Sequence, residues 1–258
     1  MINMKTAIFL SIREKATRLP KKVLLKIKGK TVTEHLINRL KLAILPDMII
    51  MCTSTHPDDD VLVDIAKSNR INFFRGSEDD KLDRYLKTAI DYKIDFMVIV
   101  DGDDIFCDPE CIDNIIKKYL ETNADYIVYK GLPVGVTGHG VKLDALKKVV
   151  ELKDEMDTEV WGGYFTETGL FTVIKLKAPK ELNYPEIRMT LDYPEDFEFF
   201  KKIFEELYKT NKIFTLHEIL DLLKKNPQIM GLNKCVHEKY LEGIREAEKK
   251  IKIKKVKQ

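Results

Sequence analysis

Phe96-Met97-Val98-Ile99-Val100-Asp101-Gly102-Asp103-Asp104 is the stretch on which the reading of this chain turns. Five apolar residues without a polar interruption describe a strand covered on both faces, because a half-exposed strand alternates. Such a strand belongs inside a parallel sheet. It ends abruptly in three carboxylates around a glycine. Carboxylates that close repel one another, so a cation is their natural neutraliser. Mg²⁺ is commonly held by one or two carboxylates plus substrate phosphates. Helix capping does not account for the cluster, since Asp108 already stands ahead of Pro109 to cap the next helix.

Outward from this run the pattern repeats. Apolar strands are expected at Thr6–Ser11, Met48–Thr53, Ile71–Phe74 and Tyr126–Val128, each separated by a helical period. Thr31 and Glu34 have the spacing of a capping box, as do Thr215 and Glu218. Helices are also expected after Pro57, over Asp79–Tyr92 and from Pro109 to Tyr119. Five alternations of strand and helix predict an α/β, doubly wound, mostly parallel sheet with right-handed crossovers. The second half reads differently. Gly131–Gly140 is expected as a loop, Lys142–Lys153 as a helix and Trp161–Val173 as a strand-and-loop excursion. Met189–Asp192 reads as a strand end, Pro194–Tyr208 as a helix and residues 235–250 as a terminal helix. No linker or repeat divides the chain, so a single domain over 1–258 is expected.

The 258 residues are 44% hydrophobic and 33% charged with a net charge of +2, a globular composition without the basic field that nucleic acid requires. No run is long and apolar enough for a membrane span, and the start lacks the h-region of a signal peptide. The expected location is the cytoplasm. Cys52, Cys107, Cys111 and Cys235 fit a reduced compartment and read as thiols rather than a zinc set. The basic run Lys249–Lys257 reads as a solvated, frayed end.

Ligands of an open parallel sheet bind beyond the carboxyl ends of its strands. Those positions carry Arg13, Lys15, Arg18 and Lys22 after the first strand and Thr53, Ser54 and Thr55 after the second. Arg75, Gly76 and Ser77 follow the third, and Asp101–Asp104 the fourth. Cations, hydroxyls and carboxylates on one rim are what a triphosphate with Mg²⁺ needs. Glu195 and Asp196 sit in the first turn after Pro194 and are explained by the helix dipole. Asp192, ahead of that proline, is not, and becomes the candidate second metal ligand. Of five histidines only His139, in the glycine loop, is a site candidate. Walker, GxGxxG and GxSxG motifs are absent from the sequence.

Several of these stretches carry a resemblance. Arg13-x4-Arg18-Leu19-Pro20-x-Lys22-Val23-Leu24 resembles the first loop of the acylneuraminate and 3-deoxy-manno-octulosonate cytidylyltransferases, and is most similar to the branch named for spore-coat polysaccharide biosynthesis. Thr53-Ser54-x-x-Pro57-x-Asp59, Phe74-Arg75-Gly76-Ser77-x-x-Asp80-x-Leu82-x-Arg84-Tyr85, Gly102-Asp103 and Thr190-Leu191-Asp192-x-Pro194-Glu195-Asp196 follow in that family's order. The resemblance implies a Rossmann-like nucleotidyltransferase that uses CTP and Mg²⁺ and releases pyrophosphate. It implies that Arg13, Arg18 and Lys22 bind the triphosphate and that Asp103 and Asp192 hold metal. Thr53, Ser54, Arg75 and Ser77 would lie near cytosine and ribose. The family's tendency is a homodimer. The chain departs where Ile12, Lys15, Ala16 and Lys21 replace small residues and glycines of the loop, and Lys15 supplies charge in exchange. Asp101 stands where Gln is common, and Ile105 replaces a proline.

The expected reaction moves CMP from CTP to an acidic sugar or a phosphate- or phosphonate-bearing molecule. An acceptor and dimerisation portion is expected within 131–190. Glu159-x-Trp161-Gly162-Gly163-Tyr164 stands roughly where the branch has its acceptor motif, which makes Trp161 and Tyr164 candidates beside His139. If Arg188–Asp192 is extended, Arg188, Thr190 and Asp192 share one face, and Arg188 is placed to fork an acceptor anion. Two other readings stay open. Asp101-x-Asp103 is also the Asp-x-Asp of metal-dependent glycosyltransferases, although a basic first loop exceeds what a diphosphate-sugar needs. A non-catalytic nucleotide-binding protein with a glycine-poor loop is the other.

Overall fold

The computed structural model describes residues 4–248. In chain order these form β1 (Thr6–Ser11), β2 (Lys26–Ile27), β3 (Lys30–Thr31), α1 (Val32–Leu40), β4 (Met48–Ser54), α2 (Asp60–Ser68), β5 (Asn72–Gly76), α3 (Lys81–Tyr92) and β6 (Phe96–Asp101). There follow α4 (Pro109–Thr122), β7 (Tyr126–Lys130), β8 (His139–Lys142), α5 (Leu143–Leu152), α6 (Gly163–Thr166), β9 (Val173–Lys177), α7 (Pro194–Leu207), α8 (Leu216–Lys225), α9 (Pro227–Met230) and α10 (Lys234–Glu248).

Seven strands make one sheet in the order β5-β4-β1-β6-β8-β7-β9, while β2 and β3 form a separate ribbon. β1 and β6 lie side by side in the interior, in parallel register from Thr6↔Phe96 to Ser11↔Asp101. Their uninterrupted apolar composition follows from that position, since both faces are covered. Alternate residues serve opposite faces. Ile8, Leu10, Val98 and Val100 pack with Leu36, Leu62 and Ile112 of α1, α2 and α4. Ala7, Phe9, Met97 and Ile99 pack with Leu82, Tyr85 and Leu146 of α3 and α5. A third cluster gathers α7 and α8 around Phe106, Phe199 and Phe200. Both capping boxes form, at Thr31 with Glu34 and at Thr215 with Glu218.

The glycine-rich 131–140 stretch is not wholly loop. Its end is β8, antiparallel to both β6 and β7. Gly140 is required there for close approach: a Cβ would lie 2.5 Å from Ile115 Cγ2 and 2.7 Å from Phe96 Cζ. Residues 161–173 hold the short helix α6, and the excursion's strand begins at Val173. Met189–Asp192 is not a strand. Arg188 makes an isolated bridge to Val134, and Leu191 N–H donates to the Asp103 carbonyl at 3.0 Å. The basic run Lys249–Lys257 and the end of the expected terminal helix lie outside the described residues.

Candidate active site

A cleft of about 750 Å³ opens at the carboxyl ends of β1 and β6. The loops after these strands are fitted to each other. Gly102 N–H donates to the Ser11 carbonyl at 2.8 Å, and a Cβ on Gly102 would lie 2.6 Å from Ile12 Cγ1. Asp59, 2% exposed, pins the first loop from behind by accepting from Glu14 N–H at 2.7 Å and Ser54 N–H at 3.0 Å. The single turn Lys22–Leu24 is tied to α1 by the Thr33 hydroxyl, which donates to the Val23 carbonyl at 2.6 Å. This aims Lys22 across the cleft floor.

At that end Lys22 Nζ lies 2.7 Å from Asp103 Oδ2 and 2.8 Å from Asp192 Oδ1. Residues from three remote segments thus meet at one ammonium. Burial alone would lower the Lys22 pKa, but the charges of Asp103 and Asp192 outweigh it and raise it. The two carboxylates respond in opposite directions. Burial raises Asp103, with Asp192 and Asp101 adding to the rise against Lys22. Burial also pushes Asp192 up, but Lys22 and Arg188 together bring it below its ordinary value. Asp104 is raised well above the carboxylate range by burial and by Asp103 and Asp101.

Behind Asp192 stands a fixed support. Arg188 donates from Nη2 to Asp192 Oδ2 at 2.9 Å, and forks Asp196 through Nε at 2.9 Å and Nη2 at 3.0 Å. Asp196, 0% exposed, also accepts from the N–H groups of Asp192 and Tyr193 and from Asn233. The Tyr240 ring of α10 covers the Arg188 guanidinium at 4.3 Å.

Two carboxylate oxygens within 2.8 Å of one cationic nitrogen fit a divalent ion. A divalent cation held by Asp103 and Asp192 would take the place of the Lys22 ammonium between them. Among the described residues no third His, Cys, Asp or Glu completes an all-protein metal cluster. A divalent cation between Asp103 and Asp192 would need further ligands from outside the protein to complete its shell.

The other end of the cleft is cationic. Arg13 donates to the Glu78 carbonyl at 2.6 Å and pairs with Glu159 at 2.8 Å. Lys81 Nζ lies 2.9 Å from Glu159 and 3.5 Å from Asp101. Burial would lower the Lys81 pKa, but Asp101 and Glu159 raise it. Lys15 pairs with Glu78 at 2.8 Å, whereas Arg18 lies nearer the carboxylates, over the ring of Tyr193 at 5.2 Å. The segment carrying Glu159 is anchored on α3. The Thr158 hydroxyl and the Lys153 ammonium both donate to the Asp80 carboxylate.

Of the residues singled out from the sequence, Arg13, Lys15, Arg18, Lys22, Asp103, Asp192 and His139 line this cleft. Thr53, Ser54, Arg75 and Ser77 do not. Thr53 is fully buried, and the Ser54 hydroxyl is spent on Asp59. Arg75 clamps the Ser54 and His56 carbonyls and Asp60. The Ser77 hydroxyl accepts from Asp80 N–H. Trp161 and Tyr164 are buried in the α3–α5 core, Trp161 at 5.3 Å from the His139 ring. Arg188 is 2% exposed; its Nε and Nη2 are given to Asp192 and Asp196 and its Nη1 is buried without a partner, so in this arrangement it supports Asp192 from behind. The expected face shared by 188, 190 and 192 fails because the segment is not a strand. Lys81, Arg84, Glu159 and Asp196 were missed. Lys81 and Arg84 carried a signal, being cations one helical turn apart just after the third strand. Asp196 carried none, because a first-turn acid is explained without burial.

A sequence model described as cytidylyltransferase matches residues 7–226. An uncharacterized protein of Methanocaldococcus jannaschii is 33% identical over 247 residues, covering 94% of this chain and 100% of that protein. The spore coat polysaccharide biosynthesis protein SpsF of Bacillus subtilis is 28% identical over 219 residues, covering 82% of this chain and 91% of SpsF. Among solved structures, a cytidylyltransferase from Leptospira borgpetersenii serovar Hardjo-bovis superposes with a TM-score of 0.80 at 26% identity, covering 88% of this chain and 97% of that one.

Proposed function

The chain belongs to the cytidylyltransferase family, and from that premise we propose that this cleft transfers CMP from CTP to a small anionic acceptor. The acceptor class is an acidic sugar or a molecule bearing a phosphate or phosphonate. Its oxygen attacks the α-phosphorus of CTP, the bond to the β-phosphate breaks, and pyrophosphate leaves. The observation that carries the reading is Lys22 shared between Asp103 and Asp192, facing the Arg13–Lys81 wall across one cleft.

Asp103 and Asp192 would hold Mg²⁺, which supplies charge neutralisation on the phosphate oxygens. Arg13, Lys15, Arg18 and Lys22 take the triphosphate and stabilise the departing pyrophosphate as its charge grows. Lys81 extends that wall once its partner Glu159 yields to phosphate. Arg188 acts on Asp192 and orients it. Thr53, Ser54, Arg75 and Ser77 serve from behind the lining, where they fix the β4 and β5 loops. His139, beside Tyr126, lies on the acceptor side. The proposal extends to a cytoplasmic homodimer with the 131–190 portion at the acceptor and partner side; free thiols at Cys52, Cys107, Cys111 and Cys235 are in keeping with a reducing compartment.

The test is a panel of acidic sugars, phosphates and phosphonates incubated with CTP and Mg²⁺, reading pyrophosphate. Release that depends on one anionic acceptor is the expected result. CTP bound without turnover across the panel would leave a nucleotide-binding protein instead.

A further inference from the structure

A second concavity, of about 280 Å³, lies between α1, the end of α7 and the turn at 209–213. No residue lines both it and the active-site cleft. It approaches the size of small-molecule pockets, which begin at about 300 Å³. Its lining contains Lys30, Arg39, Lys209 and Lys212 but no Asp or Glu.

Arg39 is the unusual member. It is 4% exposed, so its guanidinium has left water. Its Nη2 donates to the Phe214 carbonyl at 2.7 Å. Its Cζ lies 5.1 Å from the Phe214 ring centre and 5.6 Å from that of Phe106. Among the described residues no carboxylate is within ion-pairing distance, and Asp108 and Glu218 act on it only from afar. Burial lowers its pKa to about 10, the cost of a desolvated charge without a counter-ion. A buried arginine is ordinarily paired. This one is held by one neutral carbonyl and two rings.

The surrounding groups fit the same need. Lys30 and Lys209 are exposed at the rim. Lys212 is already engaged by Glu218 at 2.6 Å. His35 is bonded through Nε2 to the Ile27 carbonyl at 2.8 Å, and burial lowers its pKa and favours the neutral ring. Its ring stands 4.4 Å from Phe204 and 5.9 Å from Tyr208, and these tilted rings give the pocket an aromatic side.

We propose that this concavity is a second, non-catalytic binding site for a small organic anion with a planar apolar body. The oxyanion head, carboxylate or phosphate, would sit on the Arg39 guanidinium with Lys30 and Lys209 at the mouth. The body would lie against His35, Phe204 and Tyr208. Arg supplies a fork that suits both kinds of head.

The test is calorimetric titration of the full chain with phenyl phosphate, benzoate and neutral benzyl alcohol. It uses the wild type, the double variant Lys30→Glu/Lys209→Glu and Arg39→Met. The double variant alters only exposed side chains and should melt as the wild type does, so it decides the matter if Arg39→Met fails to fold. Binding of at least one anion, no binding of benzyl alcohol, and a tenfold or greater loss in the double variant are expected. Which anion binds distinguishes a phosphate from a carboxylate site. Three outcomes overturn the proposal: no anion binds, benzyl alcohol binds equally well, or the double variant keeps full affinity. In the last case the anion sits in the catalytic cleft, where CTP would displace it.

Discussion

At one end of the cleft a single ammonium, Lys22, is shared by Asp103 and Asp192, with Asp104 half-buried beside them and Arg188 behind. At the other, Arg13, Lys15 and Lys81 pair with Glu78, Glu159 and the more distant Asp101. Both ends are ion clusters, yet they lean in opposite directions. The first has more carboxylate than its cation neutralises, and burial raises Asp103 and Asp104 accordingly. It is built to gain positive charge. The second holds its cations in reserve with carboxylates at the cleft surface, Glu159 among them with a side chain 56% exposed. It is built to exchange a protein carboxylate for a ligand phosphate. A metal-bound triphosphate satisfies both needs at once.

The comparison breaks most sharply at the carboxylates. Asp103→Asn or Asp192→Asn keeps the shape and removes one charge. Several kcal/mol of charge stabilisation are at stake, so turnover should fall on the order of 10³-fold. Variants active within tenfold of wild type would remove that residue from the metal site. Arg188→Lys keeps the charge but loses the fork on Asp196. A residue that orients a metal ligand is worth about 10–100-fold in activity or metal affinity, so kcat should drop while the acceptor KM stays nearly constant. A raised acceptor KM with unchanged kcat would restore Arg188 as an acceptor ligand.

The cationic end predicts a gain. Glu159→Gln frees Arg13 and Lys81 and should tighten CTP binding by about threefold, a modest effect because the pair is partly exposed. Weaker binding would mean that Glu159 organises the wall and does not merely hold it. The smallest effect concerns pH. Burial lowers the His139 pKa, with Lys130 adding and Asp101 opposing. The unfolded chain then takes up a proton first as pH falls. Stability is complete above about pH 6.5, the unfolded value, and is lost as pH falls toward the lower folded value. His139→Gln should flatten the acid side of a Tm-against-pH curve by about 2 °C. An unaltered slope would assign that side to His35 or His237, whose pKa values are lowered by burial as well.

The nucleotide half of the fold was legible because β1, β4 and β6 are covered on both faces and their sequences say so without alternation. β8 was hidden: its glycines mark close approach to Ile115 and Phe96, a long-range packing demand that looks like a loop locally. The same distinction runs through the site. Asp103 and Lys22 stand in the segments that follow β6 and β1 and were found by position. The Ser54 hydroxyl is taken up by Asp59, and Arg188 is held by Asp196 under the Tyr240 ring. None of these tertiary partners leaves a mark on the residue itself.

Thermal melting with each nucleoside triphosphate in Mg²⁺ tests most directly whether one cleft takes metal and CTP together. A ligand that binds only the native state raises Tm. CTP should raise it more than ATP, GTP or UTP, and Asp103→Asn should remove most of that rise. Equal shifts from all four nucleotides, or a CTP shift untouched by Asp103→Asn, would contradict such joint binding.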